Sequence, residues 1–219
     1  MQNSKSNITI YIVRHGQSSG NIDEDAMAMD TDVCLTDHGK YEALMVARWF
    51  KKNKIPISAI YSSNYKRALD TASVIAGENG FRMKDVIGTN SLAELSVGDW
   101  SKEKISNMVT PEVDLVLNSK GIDFVWPGGE SFRIVERRVS VWLEKEILHN
   151  SKYISGNHHI VIVAHGNTIR ALFYYILGCN DRLVHRFRLD NCGLSIFNYG
   201  KYGWYPITIN STDYLHAID

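Results

Sequence analysis

Two apolar runs of this sequence each end in a histidine that is followed by a glycine. The first run, IYIVRHG, places Arg14 next to His15, and the second, IVIVAHG, ends at His165. A third run, AIYSS, is followed a few residues later by Arg67. Guanidinium groups match the oxygens of a phosphate with paired hydrogen bonds. These residue types predict a site that binds a doubly charged anion.

The four side chains can meet only if the three apolar runs form parallel strands, because parallel strands end at the same edge of a sheet. Two guanidinium groups and two imidazoles in one pocket would stabilise a fold poorly, since like charges repel and burial costs several kcal/mol per ion. A lone histidine at a strand end is usually an ordinary core or surface residue. Two such histidines together with a helix-start arginine therefore indicate function rather than packing.

The elements that must position these residues alternate along the chain. Runs rich in β-branched residues predict strands, and apolar residues three to four apart predict amphipathic helices. Strands are predicted at 8–13, 57–61, 86–88, 159–164, 195–199 and 205–209, and helices at 36–50, 65–76, 131–148 and 168–177. This alternation predicts an α/β fold with a mostly parallel central sheet, in a single domain over residues 1–219.

Residues 92–129 have the weakest periodicity and contain the stretches VGDWS and WPGGES. We expect this segment to be a loop and helix excursion that passes over the carboxyl edge of the sheet. Folds of this class bind their ligands at that edge. The segment is therefore expected to shape the site.

The composition is that of an ordinary globular protein, with 44% hydrophobic and 22% charged residues among 219. The formal net charge is zero, which argues against a nucleic-acid partner. No apolar stretch reaches the roughly 18 residues of a membrane span, and the polar N-terminus does not resemble a signal peptide. Three scattered cysteines predict neither a disulfide framework nor a zinc site. We expect a cytoplasmic protein that acts on a small partner without a metal or other cofactor.

Several motifs, in the expected order, resemble those of the histidine phosphatase superfamily, the phosphoglycerate-mutase-like proteins. The opening Arg-His-Gly-Glu/Gln-Thr/Ser-x-x-Asn of that family is similar to RHGQSSGN at 14–21. Its Ser-Ser-x-x-x-Arg-Ala-x-x-Thr-Ala is similar to SSNYKRALDTA at 62–72, and LTDHGKYEA, LAELSVGDW, PGGES and VAHGNTIRAL complete the pattern. The resemblance implies a three-layer α/β/α fold. It also implies a phosphatase that hydrolyses a small phosphorylated metabolite, a phosphomonoester.

The same resemblance implies a role for each site residue. His15 attacks phosphorus as a neutral imidazole and forms a phosphohistidine, which water then hydrolyses. Arg14, Arg67 and His165 hold the phosphate oxygens. Glu94 protonates the leaving alkoxide and later deprotonates the attacking water. Further substrate contacts are expected from Gly16, Gln17, Ser18, Asn21, Gly166 and Asn167, with the two glycines letting the backbone approach the phosphate closely.

Two alternatives to a phosphatase stay open: a phosphoglycerate mutase-type transfer and a non-catalytic phosphate-binding module. The cofactor-dependent mutases of the family carry Asn-Glu-Arg-His-Tyr-Gly after the third strand. This chain has LAELSVGDWSKEK and lacks that arginine, histidine and tyrosine, which favours the phosphatase. His185, Arg186 and Arg188 form a basic cluster, interpreted either as a solvated surface or as a contact for an acidic substrate tail.

Overall fold

The computed structural model describes residues 7–22, 33–101, 104, 110–181 and 183–216. Within these ranges no helix is long and apolar enough to cross a membrane. The strands are β1 (Asn7–Arg14), β2 (Ile57–Ser63), β3 (Val86–Thr89), β4 (Asn157–Ala164), β5 (Leu194–Gly200) and β6 (Gly203–Ser211). The α-helices are α1 (Asp37–Lys52), α2 (Lys66–Glu78), α3 (Pro111–Lys120), α4 (Phe132–Leu143) and α5 (Gly166–Leu177).

The six strands form one sheet in the order β3-β2-β4-β1-β5-β6. The first four of these pair in parallel, and β5 and β6 are added as antiparallel strands. In the register of the sheet, Arg14 lies opposite Ala164 and Ser62 lies opposite Val163. The carboxyl ends of β1, β2 and β4 therefore reach the same edge. The predicted α/β fold with a mostly parallel sheet is confirmed.

Both faces of the sheet are covered by helices. Successive residues of a strand point to opposite faces. In β1, Ile10 and Ile12 pack in one core cluster with residues of α4 and α5. Tyr11 and Val13 pack in a second cluster with residues of α1 and α2. A strand that is buried on both faces has a nearly continuous apolar sequence, as β1 has. The arrangement is the expected three-layer α/β/α fold.

The helices begin and end at residues whose chemistry suits helix termini. The Thr36 hydroxyl accepts a hydrogen bond of 3.0 Å from the backbone N–H of Gly39 and so caps α1. Gly178 ends α5 with a left-handed φ of 61°. One predicted helix differs from the structure: α4 stops at Leu143, and a π-helical turn (Glu144–Leu148) follows it. The periodicity over 131–148 had indicated a single α-helix.

Residues 92–129 contain α3 as well as short 3-10 turns. None of the residues of α3 is buried, so the helix has no apolar stripe that periodicity could detect. Its start nevertheless carries a local signal. Thr110 accepts a hydrogen bond from the N–H of Val113, and Pro111 occupies the first helical position.

Candidate active site

The candidate site lies where β1, β2 and β4 end. Arg14 is the last residue of β1 and His15 follows it, while His165 follows β4 and precedes α5. Arg67 is the second residue of α2, which starts directly after β2. The rings of His15 and His165 have centroids 5.1 Å apart, and all of these side chains except Arg14 are at most 3% exposed. The structure thus brings together the residues that the strand ends predicted to meet.

The hydrogen bonds of His15 determine which ring nitrogen carries the proton. Nδ1 lies 2.7 Å from the carbonyl oxygen of Gly16. A carbonyl oxygen only accepts, so Nδ1 must donate and the lone pair of the neutral ring belongs to Nε2. Nε2 accepts a hydrogen bond of 3.2 Å from Arg67 Nε. Burial, followed by the charges of Arg14 and Arg67, holds the pKa of His15 well below its ordinary value. His15 is therefore a neutral imidazole whose lone pair, on Nε2, accepts a hydrogen bond from Arg67.

His165 is fully buried and has one hydrogen-bonding nitrogen. Its Nε2 lies 2.8 Å from the hydroxyl oxygen of Ser63. Burial lowers the pKa of His165 well below its ordinary value, and the neighbouring His15, Arg67 and Arg14 lower it further. Among the described residues, none forms a hydrogen bond with the buried Nδ1. His165 is thus a neutral ring with a second nitrogen that a ligand can satisfy.

Arg14, like His165, has a buried side-chain nitrogen without a hydrogen-bond partner among the described residues. Its Nη1 donates a hydrogen bond of 2.7 Å to the carbonyl oxygen of Leu189. Its Nε is also buried, and no group in the described part of the chain accepts from it. Buried polar groups in native proteins nearly always have partners, so an unpartnered donor marks a place for a ligand or an ordered water. Arg14 Nε and His165 Nδ1 are such atoms at the same edge of the sheet.

Glu94 places a carboxylate at the start of α5. Its Oε2 accepts a hydrogen bond of 3.3 Å from the N–H of Asn167, and Oε1 accepts one of 3.3 Å from the N–H of Thr168. The N–H of Leu95 donates a further bond of 2.8 Å to Oε1. The first N–H groups of a helix have no partner within the helix, so they can donate to the oxygens of a carboxyl group. These bonds fix the carboxyl group of Glu94 at the start of α5, next to Gly166.

A pair of charged residues fixes the backbone that carries Glu94. Arg138 donates hydrogen bonds of 2.8 and 3.0 Å to the two carboxylate oxygens of Glu130. The same guanidinium donates to the carbonyl oxygens of Ser91, Ala93 and Glu94 at 2.8, 2.8 and 3.1 Å. The sequence analysis did not assign this role. Arg138 and Glu130 are eight residues apart, so helical i, i+4 spacing does not relate them.

Arg14, His15, Arg67 and Glu94 line a cavity of about 230 Å3, called here the phosphate cavity. The fully buried His165 is not in its described lining, although the ring of His165 lies 5.1 Å from that of His15. Four of the predicted contacts, Ser18, Asn21, Gly166 and Asn167, lie on its wall. Two residues that the sequence analysis missed, Gly20 and Arg170, also line it. The complete described lining is Arg14, His15, Ser18, Gly20, Asn21, Arg67, Glu94, Gly166, Asn167 and Arg170.

Arg170 adds a third guanidinium to this cavity. Its Nε donates a hydrogen bond of 3.1 Å to the carbonyl oxygen of Phe187, and its Nη1 donates one of 3.2 Å to Oδ1 of Asn167. Burial lowers the pKa of Arg170, and the charge of Glu94 opposes that effect. The signal that could have found it is its place one helical turn after Gly166, which puts its side chain on the same face of α5 as the strand end.

Gly16 and Gln17 do not line the phosphate cavity. A Cβ atom at Gly16 would lie 2.4 Å from the carbonyl oxygen of Gly39. The lack of a side chain at Gly16 therefore lets the loop after β1 pack closely against the start of α1. The side-chain oxygen of Gln17 accepts a hydrogen bond of 2.9 Å from the Thr36 hydroxyl. Both residues therefore join the loop after β1 to α1. Their expected contact with substrate stays a prediction.

The basic cluster predicted near the last strands is divided in the structure. Arg188 is exposed and pairs with Asp190 at 3.1 Å, and Arg186 is also exposed. An exposed pair of this kind contributes little to stability. His185 is exposed as well, and it also lines a cavity next to the phosphate cavity. The solvated-surface interpretation therefore describes all three residues, and His185 differs from the two arginines in lining that cavity.

The fold and these side chains define an α/β protein with a cavity lined by three arginines and His15 at the carboxyl edge of its sheet. The family model of the histidine phosphatase superfamily, branch 1, matches residues 10–212. The chain therefore belongs to the histidine phosphatase superfamily.

Individual relatives include both phosphatases and mutases. A Hydrogenobacter thermophilus protein provisionally named phosphoserine phosphatase 2 is 31% identical over 190 residues, 85% of this chain and 87% of its own. A 2,3-bisphosphoglycerate-dependent phosphoglycerate mutase from Parvibaculum lavamentivorans is 30% identical over 165 residues, 74% of this chain and 77% of its own. Sequence similarity alone thus favours neither activity.

Solved structures share the fold. A phosphoserine phosphatase from Entamoeba histolytica, in complex with 3-phosphoglyceric acid, has a TM-score of 0.77 and 25% identity, covering 95% of this chain and 99% of its own. A mycobacterial glucosyl-3-phosphoglycerate phosphatase has a TM-score of 0.81 and 22% identity, covering 94% of this chain and 100% of its own. At that identity, the second similarity concerns the fold alone.

Proposed function

We propose that this protein is a phosphatase that hydrolyses a small phosphomonoester through a phosphohistidine at His15, without a metal ion. The observation that carries the proposal is the orientation of His15. Its Nδ1 is bound to the Gly16 carbonyl, which leaves the Nε2 lone pair toward Arg67 and the phosphate cavity. When Arg67 donates to a phosphate oxygen instead of to Nε2, the lone pair of this neutral imidazole becomes a competent nucleophile.

The cavity can hold a dianion next to this nucleophile. Arg14 Nε and His165 Nδ1 have no partner among the described residues, and Arg67 and Arg170 contribute guanidinium groups. Phosphoryl transfer requires mainly positioning and stabilisation of charge on the equatorial oxygens. In this proposal, the arginines and His165 supply that stabilisation.

The proposed reaction has two balanced steps. The Nε2 lone pair of His15 forms the N–P bond while the ester P–O bond breaks, and the leaving oxygen takes the proton of the Glu94 carboxyl group. The Glu94 carboxylate then takes a proton from water while the water oxygen attacks phosphorus. The P–N bond breaks, its electron pair returns to Nε2, and the products are an alcohol and inorganic phosphate.

The stretch after Glu94 supports hydrolysis over mutase chemistry. A mutase must hold a bound phosphorylated acid and keep water from the phosphohistidine. In this chain Leu95 and Ser96 follow Glu94, and the N–H of Ser96 is bound to the Glu130 carboxylate. The arginine, histidine and tyrosine that the cofactor-dependent mutases carry at this point are missing from the sequence.

Phosphate release from two esters tests the proposal. With EDTA present, wild-type protein should hydrolyse both 4-nitrophenyl phosphate and glycerol 3-phosphate. Glu94→Gln should slow the glycerol ester by about 100-fold and the nitrophenyl ester by less than tenfold, because nitrophenolate leaves without a proton. Loss of turnover on chelation would overturn the metal-free step. Phosphate binding without turnover of any ester would identify a binding module.

A second assay separates hydrolysis from isomerisation. The protein is incubated with 3-phosphoglycerate and a 2,3-bisphosphoglycerate primer, and both the isomer and the released phosphate are measured. The proposal predicts that phosphate release is the faster of the two. Primer-dependent isomerisation that exceeds phosphate release would instead identify a mutase.

A further inference from the structure

A second cavity, of about 210 Å3, adjoins the phosphate cavity. Asn167 lines both, and Leu95, which lines the second, directly follows Glu94, which lines the first. In the proposed reaction the leaving oxygen must lie within reach of Glu94. The organic part of the ester therefore departs from the phosphate on the side where the second cavity begins.

The walls of the second cavity are apolar and largely aromatic. Phe124 and Trp126 meet edge to face, with centroids 5.2 Å apart and planes at 89°. Phe132 meets the ring of His185 at 5.7 Å in the same manner. Such perpendicular pairs present ring faces and edges that suit a further aromatic ring. The apolar lining consists of Leu95, Leu117, Phe124, Trp126 and Phe132.

The described lining carries no permanent charge. Its polar members are Asn167 and His185, and partial burial together with the charge of Arg170 lowers the pKa of His185. The side-chain oxygen of Asn167 already accepts from Arg170. A carboxylate in this cavity would lose its hydration and meet no cation in the described lining, because Arg170 lies outside that lining and donates to Asn167 and Phe187. An uncharged apolar group would gain the free energy of leaving water.

The volume sets the size of that group. A protein cavity of about 150 Å3 with an apolar lining accommodates benzene. A cavity of about 210 Å3 accordingly accommodates one aromatic ring with a short substituent, or a branched aliphatic group of similar size.

We infer that the preferred substrates are phosphomonoesters of aromatic or apolar alcohols, whose organic part occupies the second cavity. This inference rests on the proposed phosphatase activity, because Glu94 defines the leaving-group side. It predicts discrimination against esters whose alcohol carries a carboxylate or several hydroxyls.

Benzyl phosphate and glycerol 3-phosphate test the inference, because both release a primary alcohol. The value of kcat/KM for benzyl phosphate should exceed that for glycerol 3-phosphate by about tenfold or more, as expected for one well-filled apolar pocket. O-phosphoserine should be no better than the glycerol ester. Equal values, or a preference for phosphoserine, would overturn the inference.

Substitutions on α3 provide the matched control. Leu117 lines the second cavity, and Leu115 on the same helix is 71% exposed. Leu117→Asp should lower the ratio of kcat/KM for benzyl phosphate over methyl phosphate by about tenfold, and Leu117→Lys should also raise activity toward phosphoserine. Leu115→Asp should leave every value unchanged. An unchanged ratio in a folded Leu117→Asp protein would contradict the inference.

Binding of non-hydrolysable phosphonates keeps the inference separate from the proposed function. Calorimetry should give a dissociation constant for benzylphosphonate at least tenfold below that for methylphosphonate. Selective binding of benzylphosphonate without turnover of any ester would refute the proposed phosphatase activity and support binding of the organic group in the second cavity. Turnover without a preference for the benzyl group in either assay would refute the inferred substrate preference and would not affect the proposed phosphatase activity. If neither phosphonate binds and no ester is turned over, both are wrong.

Discussion

Arg67 donates a hydrogen bond of 3.2 Å from its Nε to Nε2 of His15. The two residues come from different strand-to-helix connections, 52 positions apart in the chain. The contact places a permanent positive charge directly at the nitrogen that we propose attacks phosphorus. It favours the neutral ring, because a cation beside a second cation is disfavoured.

The first prediction concerns the pKa of His15 in Arg67→Gln. Burial lowers that pKa most, and the charges of Arg14 and Arg67 lower it further. Removing the Arg67 charge should raise it, so protonation and loss of the nucleophile should begin at a higher pH. Imidazole NMR titration measures the shift, and the acidic limb of kcat/KM should move in the same direction.

Arg82→Gln is the control for this prediction, since Arg82 is exposed and pairs with Asp85 away from the site. The ionisation of the substrate phosphate contributes an acidic limb to all three proteins, so the difference between them reports the histidine. A pKa of His15 that stays constant or falls in Arg67→Gln would show that the contact has no such effect.

The second prediction concerns Ser63 as a positioning residue for His165. If the Ser63 hydroxyl donates to Nε2, which is 2.8 Å away, then Nδ1 carries the proton and donates to the phosphate. Ser63→Ala should lower kcat/KM by about tenfold, the cost of one misdirected donor. It should also change the nitrogen chemical shifts of the His165 ring.

Ser62→Ala is the matched control, because Ser62 is equally buried and donates only to the Ser63 carbonyl oxygen. Its activity and ring shifts should equal those of the wild type. Identical ring shifts in the two serine variants would mean that Ser63 does not determine the tautomer.

The third prediction concerns Gly166, which faces the phosphate cavity. A Cβ atom there would lie 3.6 Å from Arg170 Nη1, 3.8 Å from Glu94 Oε2 and 4.0 Å from Arg14 Nε. These are ordinary contact distances, so Gly166→Ala should fold normally. The methyl group should occupy space that the phosphate needs and weaken phosphate binding by about tenfold or more. Calorimetry and thermal unfolding measure both effects.

Gly77→Ala in α2 is the control, because within the described residues a Cβ at that position would meet no atom within 4 Å apart from its own helix backbone and chain neighbours. Alanine is the better helix former, so this variant should be as stable as the wild type or more stable by about 0.5–1 kcal/mol. Phosphate affinity of Gly166→Ala equal to that of Gly77→Ala would place the phosphate elsewhere.

The fourth prediction concerns Arg138, which holds the backbone of Glu94. Arg138→Met keeps the apolar stem but loses the bonds to Glu130 and to three carbonyl oxygens. A displaced acid should slow esters that need protonation of the leaving group, by about tenfold for glycerol 3-phosphate and less for 4-nitrophenyl phosphate. Arg137→Met, at an exposed neighbour, should leave both rates unchanged. An equal loss on both esters would indicate general destabilisation instead.

Much of the fold follows from the sequence because its strongest patterns belong to its most buried elements. β1 and β4 are nearly continuous apolar runs, since helices cover both faces of the sheet. The same apolar pattern therefore predicts that His15 and His165, which follow these two strands, lie at one edge of the sheet. By contrast, α3 buries none of its residues, so it has no regular spacing of apolar residues from which its first and last residues could be predicted.

The parts of the site that the sequence did not reveal depend on contacts between distant segments. Gly16 meets Gly39, and Arg138 reaches the loop of Glu94, across separations that no local pattern reports. Arg170 is the exception, because its place one helical turn after Gly166 is a local signal for its position at the phosphate cavity. The second cavity likewise combines residues from α3, α4 and the turn near His185.

Identification of the phosphorylated residue tests the central claim most directly. The protein is mixed briefly with labelled 4-nitrophenyl phosphate, quenched in alkali and digested, and the phosphoryl group is located by mass spectrometry. We predict acid-labile phosphate on His15, attached at Nε2, and none in His15→Ala, which should also lose turnover. Phosphate on a different residue, or turnover by His15→Ala at the wild-type rate, would contradict the account.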